Sequence, residues 1–170
     1  MAIVVPVNGE IELLKRALQI AKTAPEDLPQ NPIDGNVVLG LLSSDVTLSD
    51  SSTLSSMLAA EVSSDDAGYE RVILNPADDW STAKVNTNEA VATATEKLFT
   101  LQGTGSEYYV YGYFVFVTNC PDITLPGTAN QAAIEAADSE ILWVEKFEPQ
   151  AFTISPTGGQ IRIILKLELD

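Results

Sequence analysis

The sequence has no histidine and a single cysteine, and each shortage excludes a class of chemistry. Without histidine, neither Ser-His-Asp nor Cys-His catalysis is available, and the commonest zinc ligand is missing. One cysteine forms no intrachain disulfide and no thiolate metal cluster. Cys120 follows a strongly apolar segment and precedes Pro121, so we expect it to pack at a strand end rather than to react. Apart from chemistry that carboxylates alone could support, the sequence therefore predicts a protein with no enzymatic activity, cofactor or metal.

Basic residues are also scarce, because nine Lys and Arg stand against 24 Asp and Glu, for a formal net charge of −15. Such a surface repels the phosphates of nucleic acids and of anionic membranes, so we expect neither as a partner. The acidity indicates a solvated, self-repelling surface. Basic surfaces of other proteins and divalent cations are the partners that this charge still allows.

Long hydrophobic runs and nucleotide-binding loops are absent as well. No segment approaches the length of a membrane span. The opening residues Met1–Pro6 lack the basic and long apolar regions of a secretory signal, so we expect synthesis in a reducing cytoplasm. No Gly-Lys-Ser or Gly-Lys-Thr loop occurs, and Gly103-Thr104-Gly105 is too short for a dinucleotide-binding fingerprint.

Carboxylates are the remaining route to catalysis or to metal binding. Asp65-Asp66 and Asp78-Asp79 are adjacent pairs, and Glu135, Asp138 and Glu140 lie near one another in the sequence. Proximity in sequence does not place two carboxylates on opposite sides of a scissile bond. We interpret these residues as solvated loop acids, with calcium binding and a carboxylate-only hydrolase as the open alternatives.

The length and the hydrophobic pattern predict one domain. A chain of 170 residues suits a single core, and it should bury roughly 70% of its unfolded surface. Residues 1–7 read as an extended arm and residues 8–170 as one β-rich domain. Apolar residues recur at helical spacing from Ile11 to Ala21, and Glu12 and Arg16 can pair, which predicts an amphipathic helix over about 9–22.

From residue 36 onward the pattern is that of short strands separated by turns. The predicted strands are 36–42, 68–74, 80–85, 90–101, 108–118, 141–147, 151–154 and 160–169. Residues 54–61 and 132–137 could form short helices. With no βαβ rhythm, the fold class is mainly β: a single antiparallel β-sandwich or barrel-like domain with one short N-terminal amphipathic helix.

Aromatic side chains allow a second interpretation, a platform for carbohydrate. The candidates are Trp80, Tyr108, Tyr109, Tyr111, Tyr113 and Trp143. Cross-strand packing in a sheet core is the favoured role for Tyr111, Tyr113 and Trp143. Trp80 and Tyr108 remain candidates for an exposed interface.

Several segments, spread over most of the chain, resemble small virion proteins of tailed bacteriophages. The similar segments are Val4-Val5-Pro6 with 8–18, 68–74 followed by Trp80, Phe99 with 110–115, 141–147, and then Ile154, Gly158-Gly159 and 161–167. Two stretches depart from the family pattern. Residues 43–67 are unusually rich in serine and acid, and 120–139 read as an extra loop that could set which partner is bound.

The resemblance implies a particle component rather than an enzyme. The expected function is a capsid decoration (cement) protein on the outer surface of the virion, which binds neighbouring major capsid protein subunits and forms a homo-oligomer. A tail or tail-fibre component and a carbohydrate-binding adhesion module are the alternatives. An apolar N-terminal arm would dock either on a neighbour or on its own sheet. The predicted interface residues are Ile3, Val4, Val5, Pro6, Val7, Trp80 and Tyr108.

Overall fold

Antiparallel strands make up most of the structure, a computed structural model that describes residues 3–4, 36–63, 68–74, 79–84, 90–121, 123, 126, 128–137 and 139–169. The strands are β1 (Ile3–Val4), β2 (Asn36–Leu42), β3 (Val72–Leu74), β4 (Trp80–Lys84), β5 (Ala90–Ala94), β6 (Lys97–Gln102), β7 (Tyr108–Val110), β8 (Gly112–Thr118), β9 (Glu140–Lys146), β10 (Phe152–Ile154), β11 (Gly158–Ile163) and β12 (Lys166–Leu169). Two helices accompany them, α1 (Leu54–Ala59) and α2 (Thr128–Ala136).

A five-stranded antiparallel sheet forms the centre of the fold, in the order β1-β9-β8-β2-β3. Every residue of β8 is buried, as is every residue of β2 after its first. A strand that is covered on both faces needs apolar residues at consecutive positions, so these two strands read as continuous apolar runs instead of alternating ones.

A long two-stranded ribbon covers one face of this sheet. Strands β5 and β6 follow each other along one side of the ribbon, and β11 and β12 follow each other along the other. Lys97 lies opposite Ile163 but Thr93 lies opposite Lys166, so one side has an extra residue between the two paired regions. Such a bulge bends and twists the ribbon, which lets it follow the sheet below. Strand β4 extends the ribbon by pairing with β5.

The main core lies between the central sheet and the ribbon. The ribbon contributes buried side chains that include Phe99, Leu101, Ile161 and Ile163. The pairing of β8 with β9 shifts register between Val115 and Phe116. At this irregularity two consecutive residues of β9, Leu142 and Trp143, are both buried in the main core.

Both helices cover the opposite face of the sheet and enclose a second core. Helix α1 buries Leu54, Met57 and Leu58, and α2 buries Ile134 against the same cluster. Thr53 caps α1 in a reciprocal pair of hydrogen bonds with Ser56, which satisfies amide groups that a helix end otherwise leaves unpaired. Among the described helices, none is long and apolar enough to cross a membrane.

The mainly β, antiparallel, sandwich-like fold expected from the sequence is confirmed. Short helices overlap both ranges in which they were expected: α1 lies within 54–61, and α2 begins four residues before 132–137 and ends inside it. The amphipathic helix over 9–22 lies outside the described residues. Three predicted strands prove to be broken. The strand over 90–101 divides after Ala94 into β5 and β6. The strand over 108–118 divides at Tyr111 into β7 and β8, and the strand over 160–169 divides after Ile163 into β11 and β12.

Candidate protein-interaction surface

The described part of the N-terminal arm adds a strand to the molecule's own sheet. Ile3 lies opposite Glu145 and Val4 opposite Val144, in antiparallel pairing at the edge of β9. The sequence left open whether the arm docks on a neighbouring protein or on its own sheet. In the structure, Ile3 and Val4 pair with the chain's own sheet. Val5, Pro6 and Val7, the other arm residues of the predicted interface, lie outside the described residues.

The two aromatic residues of the predicted interface have separate positions. Trp80 begins β4, and its backbone lies opposite Ala94, while its side chain is outside the described part of the structure. Tyr108 begins β7 opposite Ile154 and packs, half-buried, against the main core. Tyr108 is therefore a core residue at least as much as a surface one.

Four other aromatic residues, here called the aromatic ribbon, lie on or beside the paired strands β7 and β10: Tyr109, Tyr111, Phe147 and Phe152. Tyr109 lies opposite Thr153 and Phe152 lies opposite buried Val110, so these two rings are on opposite faces of the strand pair. Phe152 is 52% exposed and Tyr109 is 46% exposed. Tyr109 and Tyr111 are two residues apart, with ring centres separated by 6.3 Å. Phe152 meets Phe147 edge to face at 4.7 Å, and Phe147 in turn lies 6.0 Å from buried Tyr113.

Backbone hydrogen bonds hold the aromatic ribbon at a corner of the fold. The Tyr111 amide donates to the carbonyl of Leu42 at 2.8 Å, and the Phe147 amide donates to the carbonyl of Tyr111 at 2.8 Å. The chain therefore leaves the central sheet at Tyr111 on one strand and at Phe147 on its neighbour. Because these residues are tied to the sheet, the exposed rings are attached to a rigid base.

Charge near the aromatic ribbon is acidic. Glu107 directly precedes β7 and Glu148 directly follows Phe147, and both are exposed. Lys146 directly precedes Phe147, and its charge is paired with Asp45. Ion pairs also hold other basic residues of the described chain. The ion pairs are Arg71 with Glu61, Lys97 with Asp79, Lys146 with Asp45 and Arg162 with Glu96.

A buried ion pair joins the central sheet to the helix layer. Arg71 donates two hydrogen bonds to the Glu61 carboxylate, from Nε at 2.7 Å and from Nη2 at 2.5 Å. Its Nη1 donates to the carbonyl of Ile123 and to the side chain of Asn130 in α2. Tyr69 donates to Glu61 at 2.8 Å and accepts from the amide of Leu41. The contact with Asn130 ties the segment before β3 to the helix layer, and the contact with Leu41 ties it to β2.

Burial determines how Glu61 and Tyr69 titrate. Loss of water raises the pKa of the Glu61 carboxyl, and the hydrogen bonds and charge of Arg71 lower that pKa by less. Burial, followed by the nearby Glu61 charge, raises the pKa of Tyr69 well above its ordinary value. The tyrosine therefore keeps its proton and serves as a donor to the carboxylate.

A second buried carboxylate lies beside the edge that β1 covers. Tyr113 donates a short hydrogen bond to Glu145 across the β8–β9 pair. Burial, then the hydrogen bond and charge of Glu145, raise the pKa of Tyr113. Both buried carboxylates are thus held by partners that also fix the positions of neighbouring strands.

The carboxylates that the sequence singled out do not converge within the described residues. Asp79 accepts hydrogen bonds from Lys97 at 2.5 Å and from Thr95 at 3.0 Å. Glu135 is on the exposed side of α2, and hydrogen bonds from Gln131 and Ser55 lower its pKa. The part of the chain that the structure describes holds no group of three or more metal-ligand residues. Asp65, Asp66, Asp78 and Asp138 lie outside it.

Sequence reasoning missed both buried carboxylate clusters and the exposure of Phe152. Arg71 directly precedes the apolar strand β3 and Glu145 lies within β9 next to Val144, and a charge in such a position was the available signal of a buried group. The sequence around Phe152 gave no sign that its side chain would be exposed, because exposure depends on which other elements pack against β10. The chain matches no family model, no curated protein sequence and no solved structure.

Proposed function

We infer that the chain is a structural protein of a bacteriophage virion, a capsid decoration protein that binds neighbouring major capsid protein subunits on the outer surface. The observation that carries this proposal is the aromatic ribbon, where Tyr109 and Phe152 present half-exposed rings on a rigid base. Exposed aromatic side chains of this kind are the usual anchors of protein interfaces. The resemblance of the sequence to small virion proteins supports the same function.

In the proposed mechanism the protein binds capsid subunits non-covalently and catalyses no reaction. Each copy buries aromatic and backbone surface against capsid subunits, and many copies repeated over the shell add their effects. Self-association into a symmetric oligomer would place several such surfaces in one particle contact. The excess of 24 acidic over nine basic residues keeps decorated particles from clumping through mutual repulsion.

Structural roles for the buried carboxylates fit a protein that is not an enzyme. Glu61 is committed to Arg71 and Tyr69, and Glu145 to Tyr113. Each partner belongs to a different strand or layer, so these contacts connect parts of the fold. We assign Glu61 and Glu145 to folding and not to catalysis.

Co-sedimentation tests this function. Purified protein is mixed with shells of the major capsid protein from the same phage, assembled without this chain, and separated on a density gradient. The decoration function predicts that the protein sediments with the shells at a fixed ratio to the capsid subunit, and that added excess stays at the top. Protein that stays at the top throughout, or that sediments only with isolated tails, would overturn it and favour a tail component.

Carbohydrate binding is the second candidate function, and exposed Tyr109 beside half-buried Tyr111 favours it. Two neighbouring tyrosine rings can stack on a sugar. Binding of the protein to a panel of host-surface glycans, lost in Tyr109→Ala, would support this function. A protein that binds shells but no glycan excludes it for this surface.

A further inference from the structure

Strands β6 and β11 have one side against the main core and the other side in solvent. Phe99 and Ile161 lie opposite each other across the two strands, and both are buried in the main core. Successive side chains of a strand alternate between its two sides. Leu98 and Arg162, which also lie opposite each other, are therefore on the outer side, and both are exposed.

Pairing, side-chain contacts and burial extend this outer side along both strands. Arg162 donates a hydrogen bond to the Glu96 carboxylate at 3.1 Å, which places Glu96 beside it. Thr100 lies opposite Gln160, and their side chains meet at 3.5 Å. Burial alternates from residue 161 to residue 165, which puts exposed Ile164 on the same side as Arg162. Six residues thus share one surface, here called the outer face: Glu96, Leu98, Thr100, Gln160, Arg162 and Ile164.

The outer face combines exposed apolar area with polar groups that can form hydrogen bonds. Leu98 is 44% exposed, and Ile164, at 57%, is the most exposed of the large apolar residues in the part of the chain that the structure describes. Thr100 and Gln160 are neutral, and Arg162 and Glu96 carry opposite charges. The outer face therefore has no net charge.

This lack of net charge matters in a strongly acidic chain. Because 24 acidic residues stand against nine basic ones, for a net charge of −15, two copies repel each other in most orientations. Contact through the outer face brings together no carboxylate without a guanidinium beside it. The face is also complementary to itself, because a two-fold rotation can place Arg162 of one copy next to Glu96 of the other.

We propose that the outer face is a contact between two copies of this chain, related by a two-fold axis. Leu98 and Ile164 of the two copies cover one another at the centre, and Arg162 of each copy pairs with Glu96 of the other. The contact rests on the proposed function for its use, since copies gathered on a shell would be joined through it. It forms between free copies, however, and is measured without shells.

The small area of the outer face makes this contact weak. Five residues of each strand span about 16 Å, and such a patch is smaller than the roughly 800 Å² that each partner buries in a stable interface. The free protein is therefore a monomer when dilute and self-associates at high concentration. Copies bound side by side on a shell have a high effective concentration, so the same weak contact would then join them.

Dilution of isotope-labelled protein, followed by NMR, measures self-association. Amide shifts that depend on concentration should be confined to residues 96–100 and 160–164. Leu98→Ser with Ile164→Ser should weaken self-association about 10-fold or more, because the apolar centre is removed. The matched control is Tyr109→Ser with Phe152→Ser, which removes side chains of similar exposure elsewhere and should leave self-association unchanged. Thermal unfolding checks that each variant is folded.

Charge exchange tests the pairing between copies. Glu96→Lys gives the outer face two cations and Arg162→Glu gives it two carboxylates, so each variant alone should self-associate about 3- to 10-fold more weakly. A mixture of the two should form a mixed dimer at least as readily as the unmodified protein dimerises. Glu107→Lys makes the same change of charge at an exposed site outside the face, and it should bind Arg162→Glu no better than the unmodified protein does.

Three results would overturn the contact. They are the absence of concentration-dependent shifts in the unmodified protein, shifts centred on other residues, and equal association of the two charge variants whether alone or mixed. None of them bears on binding to shells, so the contact and the decoration function fail separately. A protein that self-associates through the outer face but binds no shells would overturn the decoration function alone.

Discussion

Arg71 neutralises a carboxylate that has almost no access to water. The Glu61 and Arg71 side chains are 3% and 1% exposed, and the guanidinium also satisfies a carbonyl and the Asn130 side chain. Replacement of a buried pair by well-packed apolar residues can be neutral, but removal of one partner leaves the other as an uncompensated buried charge. The pair is therefore most sensitive to single substitution.

Arg71→Met should lower the free energy of unfolding by about 3–5 kcal/mol at pH 7, because Glu61 loses its cation and two acceptors lose their donor. Urea unfolding at constant pH measures the loss. The matched control is Arg162→Met, which breaks the exposed pair with Glu96, and it should cost below about 1 kcal/mol. Equal losses in the two variants would show that burial does not decide the effect.

The loss in Arg71→Met should depend on pH. Arg71 lowers the Glu61 pKa that burial raises, so without Arg71 this pKa rises further in the folded protein. The folded state then keeps a proton that the unfolded state releases, and stability falls as pH rises between the two pKa values. Urea midpoints should show a larger deficit, relative to the unmodified protein, at pH 8 than at pH 5. A deficit that is the same at both values would mean that Glu61 stays ionised in the variant.

Gly40 lies in β2, directly against the Phe114 ring and the Glu61 carboxylate. A Cβ atom there would lie 2.6 Å from Phe114 Cε1 and 2.9 Å from Glu61 Oε1, and both neighbours are buried. Gly40→Ala should therefore destabilise the fold by about 1–3 kcal/mol through overpacking. In Gly159→Ala the added Cβ meets only Ile154, at an ordinary 3.6 Å. Calorimetry should find a clearly lower Tm for the first variant and nearly no change for the second.

At the scale of elements, β1 is the smallest piece of the central sheet. Only Ile3 and Val4 pair with β9 among the described residues. Deletion of residues 1–4 should expose one edge of β9, and amide hydrogen exchange at Val144 or Glu145 should accelerate. Exchange in β3, on the opposite edge of the sheet, is the internal control and should not change. Unchanged protection at both β9 positions would contradict docking of the arm on its own sheet.

Strands and helices were predictable from the sequence wherever buried and exposed residues alternate at a regular spacing. Ile161, Ile163 and Leu165 alternate with exposed Arg162, Ile164 and Lys166, as expected for a strand with one wet face. The breaks at Tyr111 and after Ile163 were not predictable, because a bulge or corner depends on which strand lies alongside. Pairing across long separations in sequence is a tertiary property.

The candidate site was harder to predict for the same reason. Tyr108 and Tyr109 are adjacent and alike in chemistry, and only the direction of β7 makes the first a core residue and the second an exposed one. A slip of one residue in register would exchange their roles. The acidity of the surroundings, in contrast, followed directly from composition.

At the scale of the whole molecule, two packed cores and an acidic exterior serve one purpose in the proposed function. The two helices cover one face of the central sheet and the two-stranded ribbon covers the other, so most apolar side chains are internal, and Tyr109 and Phe152 are exposed aromatic exceptions. A rigid body with a few exposed aromatic anchors suits a protein that clamps subunits already in place. The excess of negative charge opposes adhesion between decorated particles.

The most direct test of this account is the temperature at which shells rupture, followed by light scattering, with and without saturating protein. A cement protein binds intact shells in preference to separated subunits, so linkage requires that it raise the rupture temperature. The account predicts a clear rise with the unmodified protein and little or none, at the same concentration, with a double variant that carries Tyr109→Ser and Phe152→Ser. An unchanged rupture temperature at full occupancy would contradict the clamping function.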